Sequence, residues 1–194
     1  MNLQEATEIV SQGVGFRLGN QLSADTTLNQ DIILKAITDV FAGTGEAPDE
    51  EKFAEAAKIV QEVVTRELRS TGDTFLAGNK GKDGIQITES GLQYRVLEEG
   101  AGESPQSTDQ VTVHYTGKLI DGTVFDSSVE RGEPAQFGVN QVIPGWVEGL
   151  QLMKIGAKHE FFIPQELAYG EQGSQGAIPP FAALIFEVEL IKVG

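Results

Sequence analysis

No cysteine occurs in the chain, and only two of its 194 residues are histidine. The missing thiols exclude disulfide bridges, cysteine nucleophiles and thiolate metal sites, and two histidines leave little material for a histidine-built metal site. Positive charge is also scarce, since 14 Lys and Arg stand against 29 Asp and Glu, for a formal net charge of −15. Because nucleic-acid binding depends on clustered Lys and Arg, we expect no nucleic-acid partner.

Long apolar runs are missing as well. No run approaches the roughly 18 residues that a membrane-spanning helix needs, so we expect no membrane insertion. A secretory signal combines a basic start with an apolar stretch of about 7–15 residues, whereas residues 1–5 are acidic and no such stretch follows them. The sequence as given therefore predicts a cytoplasmic protein, or a periplasmic one if a signal peptide has been removed.

Aromatic residues and prolines are distributed unevenly. Residues 91–194 hold six Phe, three Tyr, the single Trp and six of the seven prolines, while residues 1–90 hold four Phe and one Pro. Residues 79–90 are rich in glycine and polar residues, which is typical of a linker. We therefore predict a helical domain over residues 1–78, a linker over 79–90 and a second domain over 91–194.

Apolar residues spaced three or four apart predict three helices in the first half, over residues 3–22, 30–42 and 49–77. The first is interrupted by Gly13, Gly15 and Gly19, which favour close approach of another helix over a phosphate loop, because no strand precedes them. The third helix would be about 43 Å long at a rise of about 1.5 Å per residue.

These helices contain few aromatic residues and leave their apolar stripes uncovered. A second copy of the chain is a common cover for such stripes. The sequence therefore predicts a homodimer through residues 1–78. Two alternatives stay open: the helices pack on residues 91–194, or the long third helix is a solvated spacer.

Alternating apolar and polar residues predict strands in the second half. We expect an antiparallel α+β domain with about five or six strands and one short helix that begins at Pro144. The segment 125–131 is predicted to be tight and polar. His114 is expected to be structural or at the surface, and His159 to be exposed.

Several motifs of the second half occur in register. They are VHYTG at 113–117, DGTVFDSS at 121–128, VIPGW at 142–146, and LAYG at 167–170 with IPP at 178–180. In this order and spacing they resemble the FKBP-type peptidyl-prolyl cis-trans isomerases, and the resemblance covers residues 91–194. Residues 1–90 resemble, more loosely, the helical dimerisation domain of bacterial Mip-like members. The implied fold is an antiparallel half-barrel sheet wrapped on a short helix, preceded by an all-α dimerisation domain with a long connecting helix.

The chemistry of such an enzyme suits this composition. An X–Pro bond rotates slowly because rotation breaks amide resonance, with a barrier of about 18–20 kcal/mol. Catalysis needs no nucleophile, metal or cofactor; it needs a pocket that favours the twisted amide over the planar one. We therefore expect a peptidyl-prolyl isomerase that acts on proline-containing polypeptides and unfolded proteins. If isomerisation is its main role, residues 91–194 alone should have full activity on a short peptide. The alternative is a dimeric chaperone that binds unfolded chains, with isomerase activity secondary.

The resemblance also implies roles for individual residues. The proline pocket would be lined by Tyr115, Phe125, Val142, Ile143, Trp146 and Phe186, with Trp146 as its floor. The backbone N–H of Ile143 and the hydroxyl of Tyr169 would bind substrate carbonyls. Asp126 would anchor the amide beside Tyr115 and Arg131; it would not act as a general base, because the reaction moves no proton. Phe137 would form a wall, and Ala177 and Ile178 would lie on the loop over the pocket.

Each of these residues also has a structural interpretation. Phe and Trp at alternating positions are often core residues, and Asp126 before Ser127 could serve only to form a turn. Macrolide inhibitors of the family are candidate ligands. Small residues at Ala135, Ser174 and Ala177 would trim the rim of the pocket and leave its floor intact.

Overall fold

The computed structural model describes residues 4, 11–14, 29–174 and 176–194. By its contacts the chain divides into two compact units, residues 1–64 and 65–194. The predicted first helix, over residues 3–22, lies mostly outside the described residues; residues 4 and 11–14 within it are helical. In the described part of the chain, no helix combines the length and the apolar character needed to cross a membrane.

Two helices follow, α1 at Gln30–Phe41 and α2 at Glu50–Asn79. Each begins at a side-chain cap: the Asn29 amide oxygen accepts a hydrogen bond from the N–H of Ile32 at 3.1 Å, and the Asp49 carboxylate accepts one from the N–H of Lys52 at 2.9 Å. Such caps satisfy N–H groups that have no partner within the helix. Both helices begin and end within two residues of their predicted bounds, which are thereby confirmed.

The second unit is built on a seven-stranded antiparallel sheet in the order β1-β2-β6-β7-β3-β4, with β5 also paired to β3. Its strands are β1 Gln86–Ile87, β2 Gln93–Glu98, β3 Gln110–Leu119, β4 Val124–Ser127, β5 Ala135–Gly138, β6 Lys158–Ile163 and β7 Leu184–Val193. Two short helices accompany it, α3 at Ser128–Arg131 and α4 at Pro144–Leu152. The seven strands and two short helices exceed the predicted five or six strands and one helix. The additional elements were missed because β1 and β4 are short and α3 is a single turn.

One face of the sheet forms the main hydrophobic core with α4. Phe161 and Ile163 on β6, and Val188 on β7, are fully buried there beside Trp146 of α4. Two glycines allow the close approach: a Cβ at Gly145 would lie 2.5 Å from Ile163, and one at Gly149 would lie 2.8 Å from Phe161. The apolar alternation of the strands thus places α4 directly on the sheet.

The opposite face of the sheet is covered by the C-terminal end of α2. Leu76 packs against Phe162 on β6 and Ile185 on β7, which alternate with the residues of the main core. The buried Gln93 amide donates to the Leu76 carbonyl at 2.9 Å and accepts from the Asn79 amide at 3.0 Å. Residues 65–79 of α2 therefore belong to the same packed unit as the sheet, while the predicted domain limits at 78 and 90 stay predictions.

His159 is buried, which contradicts the expectation that it is exposed. Its side chain is 4% exposed, and its ring stacks on Tyr94 at a centroid distance of 5.8 Å. Its Nδ1 has no hydrogen-bond partner among the described residues. The expectation failed because β6 lies inside the sheet between β2 and β7.

This burial predicts a pH-dependent stability. Desolvation lowers the pKa of His159 below its ordinary value, against a smaller opposing effect of the Glu99 carboxylate. At pH values between the pKa of His159 in the folded chain and its pKa in the unfolded chain, the unfolded chain binds more protons. Stability is therefore lost as the pH falls below about 6.5. We expect His159→Gln to remove this contribution. Between about pH 7.5 and about pH 5.5 the urea midpoint of wild type should therefore fall relative to that of the variant. A pH-independent difference would contradict the prediction.

Candidate functional site

A cavity of about 450 Å³ opens at the end of the sheet that lies next to α4, and we call it the Trp146 cavity. It is lined by Tyr115, Phe125, Asp126, Phe137, Gln141, Val142, Ile143, Trp146, Tyr169 and Phe186. These residues come from strands β3, β4, β5 and β7, from the segment that enters α4, and from the loop after β6. The fold therefore gathers distant segments of the sequence around one apolar space.

Trp146 lies at the centre of an aromatic cluster. Its side chain is 3% exposed, and the rings of Tyr115, Phe137 and Phe186 meet it nearly perpendicularly at 5.3, 5.8 and 5.2 Å between centroids. Edge-to-face contacts of this kind are the favoured geometry of aromatic pairs. Trp146 is therefore packed against three rings and lines the cavity, and its role as the floor of a proline pocket stays a prediction.

Gly117 of β3 makes room for two of these rings. It lies opposite Asp126 of β4 on one side and Phe186 of β7 on the other. A Cβ at this position would come within 2.6 Å of the Phe186 ring and 2.7 Å of the Phe125 ring. Those two rings meet at 5.5 Å and 85° directly over the glycine. Glycine is therefore required here by close approach.

Asp126 is the one charged residue among the described residues that line the cavity. Its carboxylate accepts a hydrogen bond from the Tyr115 hydroxyl and pairs with the Arg131 guanidinium. Arg131 also donates to the Tyr115 hydroxyl oxygen at 3.0 Å. The one-turn helix α3 follows β4 directly and carries Arg131 back towards Asp126, and Gly132, with φ of +77°, ends that helix. The three side chains form a closed polar network at the cavity wall.

The network keeps Asp126 ionised and Tyr115 protonated. Burial opposes ionisation of Asp126, but the hydrogen bonds from Tyr115 and Arg131 outweigh it and hold the pKa of the carboxyl below its usual value. Burial and the hydrogen bond to the Asp126 carboxylate raise the pKa of the Tyr115 hydroxyl. Neither group is poised to exchange a proton near neutral pH, which suits an anchoring role better than general base catalysis.

Two polar groups predicted to bind carbonyls lie at the rim. Tyr169 lines the cavity with its side chain 41% exposed, just before a short 3-10 turn at residues 170–172. Ile143 caps the N-terminus of α4, immediately before Pro144. The cavity thus has an apolar floor, and rim residues capable of holding a polypeptide backbone.

Nine of the eleven predicted site residues line the cavity, and Arg131 and Ile178 do not. Arg131 contacts the site through Asp126 and Tyr115. Ile178 is buried in the main core and is bridged to Ser174, while Ala177 next to it is exposed. The substrate-binding roles of these residues stay predictions.

Sequence reasoning missed one lining residue, Gln141. It precedes the VIPGW segment directly, and adjacency to that motif was the only available signal. Its side chain lies over Gly138, where a Cβ would be 2.9 Å from its amide oxygen. The cavity therefore has an amide at its edge as well as a carboxylate.

The described residues offer little for metal chemistry, since no three of their His, Asp or Glu side chains group so that they could hold an ion. What the site offers is an aromatic surface, an ionised carboxylate in the wall and polar groups at the rim. This arrangement can bind an apolar ring and fix the chain on either side of it.

Comparison with known proteins gives family matches to both halves. Residues 101–191 match the family described as FKBP-type peptidyl-prolyl cis-trans isomerase, and residues 7–96 match the domain amino terminal to it. The FKBP-type 22 kDa peptidyl-prolyl cis-trans isomerase of Escherichia coli K12 is 48% identical, over 94% of this chain and 93% of that protein. The outer membrane protein MIP of Legionella longbeachae is 41% identical, over 95% and 84%. The crystal structure of FkpA from Escherichia coli superposes with a TM-score of 0.74 at 33% identity, covering 100% of this chain and 97% of that one.

Proposed function

Because this chain belongs to the FKBP-type peptidyl-prolyl cis-trans isomerases and so catalyses rotation about X–Pro bonds, we propose that the Trp146 cavity is its active site. The observation that carries the proposal is the aromatic cluster around Trp146, which borders a mainly apolar cavity with room for a prolyl ring and the backbone on either side of it. The relatives are named as isomerases, so the alternative of a chaperone with secondary isomerase activity is not favoured.

The cavity would act by binding the twisted amide more tightly than the planar one. The prolyl ring would enter over Trp146, beside the rings of Phe125 and Phe186, and leave water behind. A planar amide loses more solvation on entry than a twisted one, because twisting removes the charge separation of amide resonance. The barrier is therefore lowered by selective binding, with no bond made or broken to the protein.

Hydrogen bonds at the rim would hold the two flanks of the substrate while the amide rotates. We assign this role to the N–H of Ile143 and the hydroxyl of Tyr169, which bind substrate carbonyls on the two sides. Asp126 would face the rotating amide as a fixed negative charge, held in place by Tyr115 and Arg131. A preorganised charge costs no reorganisation during the rotation.

Asp126→Ala tests this assignment. The variant leaves the Tyr115 hydroxyl and the Arg131 guanidinium without their shared partner, and we expect kcat/KM on a short X–Pro peptide to fall about ten- to a hundredfold. Asp121→Ala is the matched control, because Asp121 lies outside the Trp146 cavity, in the turn between β3 and β4. Equal activity of the two variants at equal folded fraction would contradict the proposal.

The substrates we propose are proline-containing segments of unfolded proteins, which present accessible X–Pro bonds. Macrolide binding stays a prediction from the resemblance. The cytoplasmic location stays a prediction too, with the periplasm as its alternative, and fractionation of the host cell decides between them.

We propose further that the chain is a homodimer through residues 1–78. In the described part of this region no residue of α1 is buried, and large apolar side chains on both helices are exposed. They are Ile32, Leu34, Val40 and Phe41 on α1, and Phe53, Ile59 and Val60 on α2. Apolar surface of this extent is typical of an interface, and a second copy of the chain would cover it symmetrically.

Sedimentation equilibrium tests the dimer. We expect the full chain to have twice its 20.8 kDa mass. Phe41→Glu, at a side chain that is 88% exposed, should shift the chain towards the monomer, because the new charge would be buried at the interface. Gln30→Glu, which adds the same charge at the exposed start of α1, should leave the mass unchanged. A wild-type mass of 20.8 kDa would refute the dimer.

A further inference from the structure

Arg69 of α2 contacts the loop that follows Tyr169. Its guanidinium pairs with Glu171, and its Cζ lies 4.5 Å from the centroid of the Phe181 ring. None of these three residues lines the Trp146 cavity. The helix therefore contacts this loop, residues 170–181, from outside the site. The two contacts, at Glu171 and Phe181, lie close to the two ends of the loop.

The loop is closed on itself. The N–H of Phe181 donates to the carbonyl of Gly170 at 2.9 Å, which joins the two ends. Farther along, Ser174 and Ile178 exchange backbone hydrogen bonds of 2.8 and 3.0 Å. Because Tyr169 directly precedes Gly170, a displacement of the closed loop would move its hydroxyl.

The anchoring residue Phe181 has an unusual backbone. Its φ of +59° makes it the one described residue other than glycine in the left-handed region. That conformation is unfavourable for a bulky residue, so the surrounding contacts must maintain it. The backbone of α2 also lies close to Phe181 at Gly72, where an added Cβ would be 3.4 Å from the Phe181 carbonyl oxygen.

We propose that Arg69 is a positioning residue for catalysis: through Glu171 and Phe181 it holds the loop so that the Tyr169 hydroxyl stays in place to bind the substrate carbonyl. The inference rests on the role proposed for Tyr169. It makes the C-terminal part of α2 a component of the isomerase site, although α2 contributes no residue to the cavity lining.

The expected effect is moderate, because both contacts are partly exposed. A cation over an aromatic ring and an ion pair each stabilise a structure only modestly where water screens them. Arg69→Met removes both and keeps an apolar stem. We expect it to lower kcat/KM on a short X–Pro peptide about three- to tenfold, with Arg69→Lys in between, since Lys keeps the charge without the planar stacking.

A double-mutant cycle with Tyr169→Phe, in the full chain, separates positioning from general damage. If Arg69 acts through the Tyr169 hydroxyl, Arg69→Met should cause no further loss in a chain that already lacks that hydroxyl. Arg66→Met, at an exposed arginine three residues earlier on α2, is the control and should keep wild-type activity.

The outcomes test the role of Tyr169 and the role of Arg69 separately. An unchanged kcat/KM in Tyr169→Phe alone would remove the role of Tyr169. Suppose that Tyr169→Phe lowers kcat/KM. If Arg69→Met then has no effect on kcat/KM, or lowers it by the same factor with and without the Tyr169 hydroxyl, the positioning role is overturned and the active-site assignment stands. Urea midpoints of all variants show whether any loss comes from unfolding instead.

Discussion

Replacing Gly117 with alanine is expected to lower kcat/KM about tenfold or more, although the change adds only a methyl group. The new Cβ would lie 2.6 Å from the Phe186 ring and 2.7 Å from the Phe125 ring, too close for either to stay in place. The backbone cannot easily yield, because Gly117 is paired with β4 and β7 at once. Overpacking of this kind costs about 1–3 kcal/mol, and here the displaced groups are the walls proposed to select the twisted amide.

The control for this variant is Gly78→Ala. Gly78 lies in α2 with nothing within 4 Å of the added Cβ, so the same chemical change meets open space. Inside a helix it should be neutral or stabilise the chain by up to about 1 kcal/mol. Activity should be measured where urea unfolding shows both variants to be fully folded. A Gly117→Ala variant with wild-type kcat/KM would show that Phe125 and Phe186 do not form the working surface.

A fragment of residues 91–194 is expected to have an unfolding free energy at least about 3 kcal/mol lower than that of a fragment of residues 65–194. The shorter chain loses Leu76, whose cluster with Phe162 and Ile185 covers the second face of the sheet. It also loses the partners of the buried Gln93 amide, the Leu76 carbonyl and the Asn79 side chain. A buried leucine contributes about 2–5 kcal/mol, and a buried polar group left unpaired costs about 1–3 kcal/mol.

That residues 91–194 alone have full activity stays a prediction, and the loss of stability expected here bears on it. Since whole domains are stable by only about 5–15 kcal/mol, such a loss leaves the shorter chain marginal. Urea unfolding of the two fragments, followed by the fluorescence of Trp146, measures the difference. Equal midpoints would show that α2 does not stabilise the sheet.

The strands β2, β3, β5, β6 and β7 could be predicted because each is a short segment rich in apolar residues, and β3 and much of β7 alternate apolar and polar residues against one core. β4 could not: its four residues include Asp126 and Ser127, which are typical of turns, and only pairing with β3 makes them a strand. β1 has two residues and no pattern of its own. The run Phe161-Phe162-Ile163 did carry a signal for a second covering layer, since it puts apolar side chains on both faces of β6.

Most of the site could be predicted because its residues fall in motifs that a family resemblance identifies. Alternation along β3 also places Tyr115 on the buried face with Val113. Gln141 could not be predicted, because it reaches the cavity only by folding over a neighbouring glycine. The contacts of Arg69 were equally hidden, since they join residues separated by about a hundred positions through tertiary packing alone.

Intermolecular NOEs would show whether the prolyl ring binds over Trp146. A short X–Pro peptide is mixed with the full chain carrying labelled aromatic residues, and contacts from the prolyl ring protons are recorded. The account predicts NOEs to the Trp146 indole and to the rings of Tyr115 and Phe186. A second apolar cavity, bordered by Leu68, Ile120 and Phe181, is the competing place. NOEs confined to the Phe181 ring, with none to Trp146, would contradict the account.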